Sequence, residues 1–306
     1  MPTPSAFVLA AGPSPDPLSD LHQLTTYPFM VNALEAGTIV AVMAGVVGWF
    51  MVLRRETFAG HTLSVMAFPG AAAATLAGVP LAWGYYAACA LAALVIGTGA
   101  RSQAGSRGQE SAITGTVQAF GLACGFLFLS LYEGALANYE SLLFGTFLGI
   151  TSGQVLALVL TATASLALLA LAGRPLLFAS IDEDVARARG VSTRALGVGY
   201  LVLLGLAVGA TAQITGALLV FALLLGPPAT ARLITPRVGA GLALSVLLGV
   251  LITWLGLALA YFYEYPVGFY ITSVAFATYL LARVGRALAD ASGAARAREA
   301  TARDGG

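Results

Sequence analysis

Three short stretches of the chain carry side chains of a type and spacing suited to chemistry. The first runs from Leu53 to Gly70 and reads L-R-R-E-T-F-A-G-H-T-L-S-V-M-A-F-P-G. His61, Ser64 and Val65 stand at i, i+3 and i+4 and so share one face of a helix. Pro69 has no N–H to offer the carbonyl four residues back, which is that of Val65. One face therefore presents an imidazole, a hydroxyl and a freed carbonyl oxygen, a set able to line a polar path or pass a cation. The same spacing fits a proline-kinked helix whose histidine is hydrogen-bonded to a neighbour.

The second stretch, Phe178 to Val191, reads F-A-S-I-D-E-D-V-A-R-A-R-G-V. Ser180 and Glu183 fit the capping box S-x-x-E, and Asp182, Glu183 and Asp184 fall in the first turn, where the helix dipole favours acids. Arg187 and Arg189 fall in the last turn, and Gly190 is placed to end the helix. The pattern predicts a short, well-capped helix, either a solvated connector or a docking element for a cytoplasmic partner. The third stretch, Gln213 to Arg232, holds Pro227 and Pro228, which free the carbonyls of Leu223 and Leu224 and predict a helix broken within an apolar run. Small residues follow, as at a close contact with another helix. A kinked packing helix fits equally.

The elements that position these residues follow from composition. The chain has 306 residues, 58% of them apolar and only 9% charged. An ordinary soluble domain carries about 25% charge. This excludes a water-soluble enzyme, a disordered chain and a nucleic-acid binder, and leaves an all-α, polytopic integral membrane helix bundle. All 15 basic residues are arginine. Cys89 and Cys124 sit within apolar runs and read as small core residues, not as a disulfide or a metal pair.

Apolar stretches long enough to cross a ~30 Å hydrocarbon core recur near 29–53, 59–78, 82–100, 112–132, 153–173, 195–212, 214–234, 238–261 and 267–284. Tyr139–Ile150 is apolar but too short to span and reads as a partly inserted or interfacial helix; about eight or nine crossings are predicted. Arginines occupy every second loop: Arg54 and Arg55, Arg101 and Arg107, Arg174 through Arg194, Arg232 and Arg237, and Arg283 onward. The intervening loops hold Glu133, Glu140 and Glu264, and the N-terminal segment holds Asp16 and Asp20. The positive-inside rule then gives an extracytoplasmic tail over 1–28, a transmembrane unit over 29–284 with its largest cytoplasmic loop at about 174–194, and a frayed cytoplasmic tail over 285–306. Within the spans the clear carboxylate is Glu35, near the outer end of the first one. That is too little for a proton-coupled pump, so energy is expected from another subunit.

Together the three stretches resemble the membrane permease of the zinc/manganese/iron ABC importer family, in the same order and over roughly residues 29–284. That family has an L-R-R…G-D-A-L-S-H-A…P-G region after its first span and a D-E…A…G cytoplasmic helix. It then has G-A-L-L-V…L-L…P-A-A-T-A-R and, near the end, P-x-G after an aromatic-rich turn. Here these read Leu53-Arg54-Arg55, Gly60, Ser64 and Pro69-Gly70; then Asp182-Glu183, Ala186 and Gly190; then Gly216 to Val220 with Pro228 to Arg232; and Pro266-Val267-Gly268. One departure stands out: the family's Asp matches His61 here, and its His matches Val65.

The resemblance implies a homodimeric permease that imports a divalent metal. The metal is handed over by an extracytoplasmic metal-binding protein, and transport is driven by a separate ATPase subunit. No cofactor would be held permanently; the metal is cargo. Imidazole suits zinc whereas a carboxylate suits manganese, so the His61 departure points to zinc. His61, with Ser64 beside it, is the expected metal contact, and Asp182, Glu183, Asp184, Arg187 and Gly190 the expected ATPase-docking element. The chain has no G-x-x-x-x-G-K-[ST] loop of its own. The rival readings are a permease for manganese, iron or a metal chelate, an ion channel, and a membrane-embedded enzyme. The last lacks a paired acid, a Ser/His set or H-E-x-x-H.

Overall fold

In the computed structural model, residues 26–102, 107–132, 149–263 and 265–304 are described, and they contain helices and no β-strand. The helices are α1 (Pro28–Leu53), α2 (Thr57–Ala77), α3 (Leu81–Ser102), α4 (Arg107–Leu131), α5 (Ser152–Ile181), α6 (Glu183–Ala188), α7 (Thr193–Ile234), α8 (Val238–Phe262) and α9 (Val267–Asp304). Nearly all of the predicted 1–28 tail and of Tyr139–Ile150 lies outside the described residues, as do Glu133, Glu140 and Glu264.

Local chemistry sets the ends of these helices. Pro28 opens α1, where its missing N–H would have had no helical partner. Thr151 and Gln154 form a reciprocal capping box at the start of α5. Ser192 caps α7 through the Ala195 N–H. The Ala/Arg-rich stretch read from composition as a frayed tail continues α9 to Asp304, in keeping with the high helix propensity of both residues.

Among the described residues, seven stretches are long and apolar enough to cross a membrane: α1, Leu81–Gly99, Glu110–Leu131, α5, Thr193–Ala217, α8 and Val267–Ala291. The second half of α7, Leu219–Ile234, is a shorter apolar helix. The stretch predicted to span at 59–78 forms α2, which is less apolar than these seven because it carries Thr57, His61, Thr62, Ser64 and Thr75. It packs against α3, α4 and α7, and most of its residues are buried. A helix enclosed by other helices needs no lipid-facing surface, so it can hold polar side chains that an outer helix could not.

Around it, α1 and the first half of α7 are mostly buried, whereas α4, α5 and α9 turn most of their surface outward. The first half of α7 runs antiparallel to α3: Tyr85 faces Gly209, Cys89 faces Gly205, and Gly97 faces Val198. The break predicted at Pro227 and Pro228 does not occur there. Helix continues through both prolines to Ile234, and α7 departs from helical geometry at Gly216, with φ 75° and ψ 161°. That backbone is open to glycine and closed to a residue with a Cβ. The prolines cost α7 two hydrogen bonds without stopping it, and the carbonyl of Leu224, freed by Pro228, lies against Gly48 of α1.

Candidate functional site

His61 lies on α2, about one turn past its first residue. Its ring meets Phe221 edge-on, with centroids 4.8 Å apart and planes at 64°. Phe221 belongs to the second half of α7, just past the Gly216 break. The His61 Nδ1 atom is buried and, among the described residues, has no hydrogen-bond partner. A buried polar atom left in that state costs on the order of 1–3 kcal/mol, so the fold holds at this point an imidazole nitrogen that no described residue satisfies.

Ser64, on the next turn of α2, is buried, and its hydroxyl donates to the Gly60 carbonyl at 3.0 Å. Its proton is thus committed within the helix while the oxygen lone pairs remain. Val65 is half-buried. Among the described residues no three His, Cys, Asp or Glu side chains gather into a metal-holding cluster. A closed zinc site would take four strong ligands. Sequence reasoning missed Phe221 as the ring against His61. It also missed the link from the buried Thr62 hydroxyl to Gln118 Oε1 at 2.9 Å, which ties α2 to α4. Thr62 was legible as a polar residue in an apolar helix; its partner on a distant helix was not.

The short capped helix predicted here is present as α6, with its start corrected. Ser180 is not the cap. Helix α5 runs on through Arg174 and Pro175 to Ile181 and takes up Ser180, whose hydroxyl donates to the Leu176 carbonyl. Capping falls instead to Asp182, whose Oδ1 accepts the Val185 N–H at 3.0 Å. Glu183 and Asp184 occupy the first turn, and Arg187 donates to Glu183 Oε1 at 2.7 Å. That hydrogen-bonded carboxylate holds the Arg187 guanidinium above the ordinary arginine range, with Asp184 adding to the effect. Gly190 ends the helix at φ 80°. The side chains of Asp184, Arg187 and Glu183 are 96%, 59% and 56% exposed. Ion pairs this open to water add little stability, so the charged face is left available. Ala186, fully buried, anchors the other face.

One side chain connects these two regions. Arg54, in the turn between α1 and α2, donates to Glu56 Oε1 from Nη2 at 2.9 Å and from Nε at 3.2 Å. Its Nη1 donates to Ser180 Oγ at 3.2 Å, and its guanidinium carbon lies 5.4 Å from the ring centroid of Tyr200. The Tyr200 hydroxyl donates to the Val47 carbonyl of α1 at 2.8 Å. The Arg54 side chain is only 9% exposed.

Residues 26–286 match the family described as the ABC 3 transport family. The chain is 32% identical over 248 residues to the chelated iron transport system membrane protein YfeC of Yersinia pestis, covering 81% of this chain and 83% of that protein. It is 28% identical over 260 residues to the manganese transport system membrane protein MntC of Halalkalibacterium halodurans, covering 85% of this chain and 88% of that protein. Among solved structures it is similar to a chain of PsaBC from Streptococcus pneumoniae in complex with Fab. The TM-score is 0.76 at 26% identity, over 87% of this chain and 94% of that one.

Proposed function

The chain belongs to the ABC 3 transport family, and from that premise we propose that it is the multi-pass membrane permease of an importer for a first-row divalent metal, with zinc as its cargo. The observation that carries this reading is the Nδ1 of His61, buried and without a partner among the described residues, on an enclosed helix. A neutral imidazole nitrogen ligates zinc, copper, nickel or iron readily and is less suited to magnesium or calcium. Zinc is favoured because His61 stands where the family carries an aspartate. A carboxylate would serve manganese better. A second reading, import of manganese or iron, draws its support from relatives named for manganese and for chelated iron.

In this reading the chain forms a homodimer, receives the metal from an extracytoplasmic binding protein, and docks a separate ATPase on α6. Its own role is to provide an alternating path. His61, the lone pairs of Ser64 and the freed Val65 carbonyl give a weak, mixed set of ligands that binds and releases without trapping.

The test is reconstitution of the permease with its ATPase in proteoliposomes, with the binding protein added outside. ATP-dependent zinc accumulation, resisting excess manganese, is the expected result. Uptake without ATP would make the chain a channel. ATP-dependent uptake of manganese or iron, with zinc excluded, would replace the cargo and keep the permease.

A further inference from the structure

Helix α6 follows α5 after a single residue and reaches α7 through a short loop, so any push on α6 is felt first at the end of α5 and the start of α7. Arg54 touches both. Its Nη1 holds Ser180, two residues before the Asp182 cap, and its guanidinium lies against Tyr200 on α7. Through Nε and Nη2 it holds Glu56, the residue immediately before α2. The turn that contains it is tight: Glu56 N–H donates to the Met51 carbonyl at 3.0 Å, and Arg55 takes φ 61°, a conformation that a residue with a side chain rarely adopts. A turn with so little slack passes displacement on to the next helix, and that helix carries His61.

We propose that Arg54 is a positioning residue that couples movement of the docking helix to the His61 helix. The proposal rests on the permease reading above and adds to it the route by which the ATPase reaches the metal path. A guanidinium suits the task because its planar fork can hold Glu56 and Ser180 at once while its face lies on Tyr200. A lysine ammonium offers neither the fork nor the flat face. The group is nearly buried, and removing it outright would break its ion pair with Glu56, a change that destabilises the fold. Arg54→Lys keeps the charge and loses the geometry, and Ser180→Ala removes the contact to α5 and keeps Arg54 with Glu56.

The experiment measures zinc and manganese uptake and ATP hydrolysis together in proteoliposomes holding the complete transporter. With either variant the ATPase should still co-purify and hydrolyse ATP. Metal moved per ATP should fall about fivefold or more, the lower range of coupling between distant sites. Hydrolysis should also lose its dependence on metal-loaded binding protein. An unchanged ratio of uptake to hydrolysis in a folded variant, including one in which both rates fall together, overturns the proposal and leaves Arg54 a structural residue. Should one variant fail to fold, the other decides. Failure of the unmodified chain to bind an ATPase would be a different result, since it removes the permease reading itself.

Discussion

The carbonyl oxygen of Leu224 rests on the Cα of Gly48, so closely that a Cβ at Gly48 would overlap it and would lie 3.0 Å from Pro228 Cγ. Pro228 is the reason that oxygen is free, because it has no N–H to return to the carbonyl four residues back. The oxygen meets the Cα–H surface of α1 instead, a contact worth about 0.5–1 kcal/mol. Pro228 is accommodated within α7 with a glycine on another helix, which lets the carbonyl it frees approach.

Gly48→Ala should therefore press α1 away from the second half of α7. Inserting a methyl group into such a contact costs about 1–3 kcal/mol. The same half-helix carries Phe221, so His61 should lose its packing partner as well. Thermal unfolding of the detergent-solubilised protein should show a lowered midpoint, and zinc uptake should fall with it. A midpoint equal to that of the unmodified chain would mean the two helices separate at no cost.

The docking prediction separates the cap from the charge. Replacing Asp182, Glu183 and Asp184 together by Ala should weaken co-purification of the ATPase while membrane insertion stays intact. Loss of the N-cap alone costs about 1 kcal/mol of helix stability. Asp182→Asn retains a capping oxygen, so a variant with Asp182→Asn, Glu183→Gln and Asp184→Asn isolates the charge. If charge steers docking, this second variant should bind as weakly as the first, and the unmodified complex should loosen with added salt. Normal ATPase recovery with both variants would leave α6 as a connector only.

The helices were legible in the sequence because lipid demands long apolar runs, and the short helix α6 because Asp182 to Gly190 carries its own start and stop signals. Ser180 was misassigned for a physical reason: a serine three residues before a glutamate caps a helix only if the preceding helix has already ended. Here Ala179 and Ile181 continue α5 to the first acid. The break in α7 was misplaced for a related reason. Prolines signal lost hydrogen bonds, but whether a helix stops depends on what meets the freed carbonyls, and Gly48 lies far away in sequence. Arg54 was legible as a charge beside a membrane boundary. Its grip on Ser180 and Tyr200 was not, because no local pattern encodes contacts between distant segments.

Topology offers a direct check. Arg54 contacts Ser180, so the α1–α2 and α5–α6 junctions lie on one face of the bundle, and Arg286 donates to the Leu233 carbonyl where α7 ends. The arginine alternation assigns this face to the cytoplasm and the α8–α9 turn, with exposed Tyr265, to the opposite side. In a Cys124→Ser background, with Cys89 fully buried, a membrane-impermeant thiol reagent should label Tyr265→Cys in intact cells. It should label Asp184→Cys only after permeabilisation. Labelling of Asp184→Cys in intact cells would invert the orientation.

The strongest prediction concerns the His61 nitrogen, and its test must separate ligation from packing. His61→Ala removes the imidazole and also its edge-on contact with Phe221, which contributes about 0.5–1.5 kcal/mol. A fall in uptake with that variant alone would be ambiguous. His61→Phe keeps an aromatic ring against Phe221 and removes both nitrogens. Zinc uptake should drop several-fold with either substitution, while expression and ATPase binding stay normal. Retention of transport by His61→Phe with loss by His61→Ala would make the residue a packing element. The complementary change, His61→Asp with Val65→His, restores a carboxylate and moves the imidazole one turn along the same helix face. Because oxygen ligands suit manganese better than zinc, that double variant should accumulate manganese in preference to zinc. An unaltered metal order would show that selection is made elsewhere along the path, even if His61→Phe has shown the nitrogen to be needed for passage.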